Sequence, residues 1–360
     1  MKVLLRNIVA TVLLMLPCAL SARGQGPDVK EIVLEHFSDS YWWHICTVKG
    51  KETVLPLPVI VHSPSTGWHC FSSRHLFSEG EYDGFYIASD GEYEGKVLER
   101  QADGSSLRPF DVSITRTVAG IFINSTITVL IVFCAVRCYR GRKATDPPRG
   151  WASVMEMAVD SLVEDLIKPC VGDSWRRFAP FLLTVFFFIL VNNLMGLVPF
   201  FPGGVNVTGN IAVTFVLALA SFVVINIFGG RAYWKDIFWP DVPVWLKVPV
   251  PVIPLIEFVG IFTKPFALMI RLFANMLAGH AVIICLLCVI FVTAGSGVLL
   301  NTSMSAVSLL FSIFMNALEL LVAFLQAYVF TMLSGVFIGL AQEGKKKNIY
   351  NKTDSKILEL

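Results

Sequence analysis

Five long apolar runs, separated by short polar and basic stretches, occupy the chain from Val118 to Ala341. Val118–Val136, Phe178–Val198 and Ile211–Phe228 each have the length and apolarity of a membrane-spanning helix. Phe266–Val298 would be roughly 50 Å long if fully helical, so it must tilt or extend beyond the bilayer. A last long helix is expected over Ser305–Ala341. Two other segments break the pattern. "WASVMEMAVDSLVEDLIKP" sets Val154, Met157, Ala158, Leu162 and Ile167 against Glu156, Asp160, Glu164 and Asp165, the pattern of a surface helix closed by Pro169. "VPVPVIPLIEFVGIFTKP" carries Pro249, Pro251, Pro254 and Pro265 together with Glu257 and Lys264, so it is not expected to form one straight spanning helix.

Upstream the period changes. "TVLPLPVIVHS" and "DGFYIASDGEYEG" read as strands and turns, whereas "DVKEIVLEHFSDSYWWH" has helical spacing at Ile32, Leu34, Phe37 and Tyr41. The fold class expected is therefore an all-α polytopic membrane protein. It has about five membrane-embedded helical segments, a broken proline-rich segment and an amphipathic surface helix, preceded by a small, mostly β extracytoplasmic domain. The first residues, with Lys2 and Arg6 before an apolar Ile8–Leu20 run and small residues at Ser21 and Ala22, read as a signal peptide over 1–22. An uncleaved anchor is the alternative. The accessory domain then covers 23–117, the membrane domain 118–344 and a basic tail 345–360.

Composition agrees with this reading: 55% of the 360 residues are hydrophobic and 16% charged, against about 25% charged in a soluble domain. A net charge of +2 with no basic run interleaved with aromatics excludes a nucleic-acid binder. Local charge sets the topology. Pro27–Thr117 holds fourteen Asp/Glu against eight Lys/Arg, whereas Arg137, Arg140, Arg142, Lys143 and Arg149 follow the first span and "GKKKNIYNKTDSK" follows the last. By the positive-inside rule the last two are cytoplasmic and the acidic segment lies outside. There an oxidising compartment permits a Cys46–Cys70 disulfide, which sequence alone does not fix. His62, His69 and His75 read as surface loop histidines rather than metal ligands, and the "CLLC" of Cys285–Cys288 has no nearby cation to activate a thiol. No metal or cofactor is expected.

Ionisable residues inside spanning helices cost about 2.5–3.5 kcal/mol on insertion scales and mark ion or substrate paths. Arg271 and Asn275, four apart, share a helix face, as do Glu319 and Gln326, seven apart. His280, nine residues from Arg271, lies on the other side of its helix. Two plainer readings stand beside these: Arg271 snorkelling to a headgroup, and Glu319 with Gln326 as interhelical hydrogen-bonders.

These residues carry a resemblance. "EFVGIFTKPFALMIRLFANMLAGH", joined by "NNLMGLVP", "TGNIAVT" and "ELLVAFLQAYVF" in the same order, resembles subunit a of the F-type ATP synthases across Val118–Ala341. The resemblance implies a membrane stator subunit with two ion half-channels and no chemistry on this chain. Its partners would be a c-subunit ring, peripheral-stalk b subunits, the other synthase subunits and the lipid bilayer of a bacterial inner membrane. Arg271 would separate the half-channels, Asn275 and Gln326 would hold its guanidinium, and His280, Glu319, Glu257 and Asn210 would supply channel polar groups. Many relatives have an acid at the His280 position and a histidine at the Glu319 position; the exchange here implies that the two face one another as one unit. The competing function class is a secondary transporter with an intramembrane Arg for an anionic substrate. The lack of an obvious inverted repeat argues against it.

Overall fold

In a computed structural model the described residues are 37–48, 51–88, 91, 93–101, 105–139, 150–199, 201–238, 252–295 and 297–357. Side chains are not described at 45–52, 79, 232, 236, 252, 253, 295, 298 and 343–357. The signal-peptide reading, Ile32 and Leu34, four of the five cations of the first basic loop, Pro249 and Pro251 lie outside the described residues.

The accessory region is built from β1 (Trp42–Val48), β2 (Lys51–Pro56), β3 (Pro58–Ser63), β4 (Gly67–Ser72), α1 (Ser73–Glu79), β5 (Glu81–Tyr82), β6 (Phe85–Ile87), β7 (Val97–Arg100), β8 (Ser106–Leu107) and β9 (Phe110–Asp111). All pairings are antiparallel: β1 with β2, a sheet ordered β4-β3-β9, and a sheet ordered β5-β6-β7-β8. Strand alternation puts Val59 and Val61 inward, where they pack with Tyr41, Leu76, Phe85 and Val97. Helical spacing therefore misleads at Tyr41, whose aromatic ring belongs to this β core and whose neighbours Trp42–His44 are strand. The three histidines sit on elements rather than loops. His62 on β3 lies against Trp68, His69 on β4 pairs with Asp83 at 2.9 Å, and His75 on α1 stacks on Tyr82.

The helical part comprises α2 (Arg116–Tyr139), α3 (Trp151–Ser161), α4 (Lys168–Val171), α5 (Trp175–Gly196), α6 (Ile211–Phe228), α7 (Arg231–Phe238), α8 (Val252–Val292) and α9 (Val298–Ile357). Among the described residues five helical runs are long and apolar enough to cross a membrane: Arg116–Tyr139, Trp151–Gly196, Ile211–Phe228, Pro254–Val292 and Leu299–Gln342. The structure departs from expectation at three places. The proline-rich segment is not broken from Val252 onward, because Pro254 falls in the first turn, where a missing N–H costs nothing, and the helix carries through Pro265. Pro169 does not close the amphipathic helix. A π-turn at Leu162–Ile167, where the Lys168 N–H reaches back to the Val163 carbonyl, absorbs the strain before it, and the helix runs on to Val171. Nor does the expected apolar face act as one: Leu162 and Ile167 are buried, while Val154 and Met157 are exposed.

By internal packing Leu277–Leu321 falls in one compact unit, and Ser40–Met276 with Val322–Leu360 form the other. In the larger unit the π-turn Leu162–Ile167, α4–α6, the first part of α8 and the later part of α9 share a core that includes Ile167, Leu182, Ile189, Leu272, Ala327 and Ile338. Gly339 on α9 lies against the Cys170 carbonyl oxygen of α4, where a Cβ would overlap it. The β region is fastened to this unit by Trp43, buried against Val205 and Val207 of the loop between α5 and α6, with Ala119 and Ile123 of α2 packed alongside.

Candidate functional site

Arg271 and Asn275 are both exposed on α8, whereas the adjoining stripe of the same helix, Leu268, Leu272 and Met276, is buried in the core. The helix is held at this level by Asn206, whose side-chain amide donates to the Met276 carbonyl at 3.2 Å. Among the described residues the Arg271 guanidinium has no hydrogen bond or ion pair, and neither Asn275 nor the buried Gln326 reaches it. Its cause is geometric: the side chain leaves the core rather than entering it. A guanidinium is always charged, so on a helix of spanning length it is costly to leave without a counter-charge, and none comes from the described residues.

Gln326 is positioned by an amide clamp three residues before it. Asn193 on α5 donates to the Ala323 carbonyl of α9 at 3.2 Å and accepts from the Thr208 hydroxyl at 2.7 Å. Asn192 accepts from the Asn124 amide of α2 at 3.0 Å. The buried Asn192 and Asn193 amides of "NNLMGLVP", with the Thr208 hydroxyl of "TGN", tie spanning helices together where an unpaired amide would be costly.

In the unit Leu277–Leu321, His280 Nδ1 and Glu319 Oε1 are in contact, both residues buried. Gly279 makes the room: a Cβ there would stand 2.9 Å from Glu319 Oε1. Glu319 Oε2 is buried without a hydrogen-bond partner among the described residues. The same face of α9 carries Ser305, Ser308 and Ser312 at the 3-4-7 spacing that leads to Glu319. Ser308 donates to the Leu286 carbonyl, and Ser312 Oγ is buried without a partner among the described residues. The sequence reading missed these serines, whose signal was their heptad spacing.

Glu257 is exposed near the start of α8. Burial, and then the Glu257 carboxylate, raise the pKa of the Tyr233 phenol on α7. Asn210 caps α6, its Oδ1 accepting from the Ala212 N–H at 3.0 Å, so its side-chain oxygen already has a structural task. Cys70 carries a free, exposed thiol on β4, and the Cys46 side chain lies outside the described residues.

Residues 122–339 match the family model described as ATP synthase A chain. That stretch is more than half of the chain and contains the outward Arg271, the His280–Glu319 pair and the amide clamps. The chain belongs to the ATP synthase A chain family. A second model, a domain of unknown function (DUF8433), matches residues 32–114, the β region. Among curated relatives the chain is similar to the ATP synthase subunit a of Chloroherpeton thalassium, 46% identical over 238 residues, which is 64% of this chain and 67% of that protein. It is also similar to the ATP synthase subunit a 2 of Chlorobaculum tepidum, 44% identical over 241 residues, 64% of each. The ATP synthase subunit a of an Anaeromyxobacter species is 35% identical over 331 residues, 88% of this chain and 71% of that protein. The chain thus spans about two thirds of the length of the relatives it matches. Family membership, with five helices of spanning length, makes it a multi-pass membrane protein and argues against the secondary-transporter reading.

Proposed function

We propose that this chain is the ion-conducting stator subunit in the membrane sector of an F-type ATP synthase, with Arg271 separating two half-channels. The observation that carries the reading is the outward guanidinium without a partner among the described residues, on a helix of a family whose members are subunits of that enzyme. A ring of c subunits, each bearing an ion-binding carboxylate, supplies the counter-charge that Arg271 does not find among the described residues. Arg271 favours the ionised carboxylate as each c subunit passes, so an ion cannot ride across in the unproductive direction. The membrane potential, about 2.3 kcal/mol per charge per 100 mV, then biases rotation without any bond-making on this chain.

His280 and Glu319 act as one proton-accessible unit in one half-channel, since their imidazole and carboxylate are buried in contact with one another. Glu257 lines the other side of the path, Asn275 and Gln326 border it, and Asn210 combines capping with lining. Peripheral-stalk b subunits hold the stator still. The β domain, after removal of residues 1–22, faces the periplasm of a bacterial inner membrane, and the basic C-terminal residues face the cytoplasm. Solubilisation in mild detergent tests the assignment. A c ring and peripheral-stalk subunits should co-purify with this chain, and vesicles holding the complex should show ATP-driven ion flux. A chain that purifies alone and transports a solute alone would overturn it.

A further inference from the structure

The sheet β4-β3-β9 has an uncovered face. Register places Trp68, His62 and Phe110 in one row across the three strands, and Cys70, Ile60 and Val112 in the next. The opposite face carries Val59 and Val61, which are core. On the outer face Trp68 is 64% exposed, Phe110 68% and Val112 50%. None of these six positions is Asp, Glu, Lys or Arg, although the segment around them is acidic. The one acid of β9, Asp111, is turned inward, where it accepts from the Tyr41 hydroxyl and the Ser113 N–H. An apolar, uncharged patch centred on two aromatic rings marks a binding surface rather than ordinary solvent-facing sheet.

We infer that this face rests on the headgroup zone of the lipid bilayer, with Trp68 and Phe110 as interfacial anchors. The tether argues for lipid. Val112 stands four residues before Arg116, where α2 begins, and four extended residues span at most about 14 Å. The polar zone on each side of the hydrocarbon is itself about 5–8 Å deep. α2 is a 24-residue helix, about 36 Å long, enough to cross the hydrocarbon with its first turn at the interface. Trp43, buried against Val205 and Val207 beside Ala119 and Ile123, fastens the region to the same end of α2. Aromatic rings with an apolar body are the side chains that settle at that depth. The role of this β region would then be to spread the stator's footing on the membrane surface beyond its spanning helices.

Photocrosslinking in the assembled complex tests this. A benzophenone amino acid is placed at position 110 or 68, with exposed Ser78 on α1 as the control position, and the complex is reconstituted in phosphatidylcholine and phosphatidylglycerol vesicles. Because both test residues are mostly exposed, the exchange leaves the β core intact. Lipid adducts several-fold more abundant at 110 and 68 than at 78 are expected. Adducts to another polypeptide, or to a second copy of this chain, would overturn the proposal and make the face a protein interface. Lipid yields at 110 and 68 no higher than at 78 would overturn it in favour of open solvent.

Discussion

Arg271 and the His280–Glu319 pair place ionisable groups in apolar surroundings in opposite ways, one exposed without a partner among the described residues and the other buried in contact. The buried pair predicts a reciprocal exchange. His280→Glu or Glu319→His alone places like groups together and should cut ATP-driven pumping by on the order of tenfold or more, whereas the double exchange should recover much of it. Pumping by the double variant no better than by the worse single one, at normal subunit levels, would show the pair is uncoupled. Gly279→Ala sets overpacking of about 1–3 kcal/mol against a helix-propensity gain of roughly 1 kcal/mol. Because the displaced group is Glu319, the expected outcome is lost pumping with the subunit still present in the membrane, read by vesicle acidification and immunoblot. Glu257→Gln should bring the Tyr233 phenol only part of the way back, since burial is the larger cause of its raised pKa. A raised phenol contributes stability below the ordinary tyrosine value of about 10 and loses it as pH climbs through the folded value. Absorbance titrations differenced against Tyr233→Phe measure this; an unshifted Tyr233 in the Glu257→Gln protein would mean that burial contributes nothing.

At the scale of elements, the tightest constraint is the approach of α9 to α4. Gly339→Leu would drive a side chain into the Cys170 carbonyl, and backbone cannot yield as a flexible side chain can, so the α3–α4 segment should separate from α9. The expected cost exceeds the roughly 1–3 kcal/mol of ordinary overpacking. It should appear as faster proteolysis between Trp151 and Val171 in membranes; unchanged protection would contradict the packing. Element readings succeeded where one physical signal dominated. Ile211–Phe228 coincides at both ends with its apolar run, because Asn210 caps it and Gly229 ends it. They failed where tertiary context won. Tyr41 fits a helical spacing but fills a β core, and Pro169 is a helix breaker that a π-turn accommodates. Of the candidate site, the residue types on α8 and α9 were legible from spacing. The contact between His280 and Glu319 rested on resemblance, and the serine stripe, present in the sequence as a heptad spacing, took on meaning only with the Ser308–Leu286 hydrogen bond.

For the whole molecule, composition alone established the membrane class, and a change of hydrophobic period separated the β region from the helices, matching the two family stretches 32–114 and 122–339. The outward stance of Arg271 was not legible, because spacing assigns residues to a face but not the face to core or exterior; burial of Leu268, Leu272 and Met276 decides that. In the proposed function this guanidinium, lacking a partner within the described residues, separates two ion paths past a moving carboxylate. The most direct test is ATP-driven ion pumping in inverted membrane vesicles carrying Arg271→Lys, with subunit and c-ring content checked in the same preparation. An ammonium has no planar fork and can lose its proton in an apolar setting, so no coupled pumping is predicted despite a fully assembled complex. Measurable coupled pumping by the Arg271→Lys enzyme would contradict the separator role.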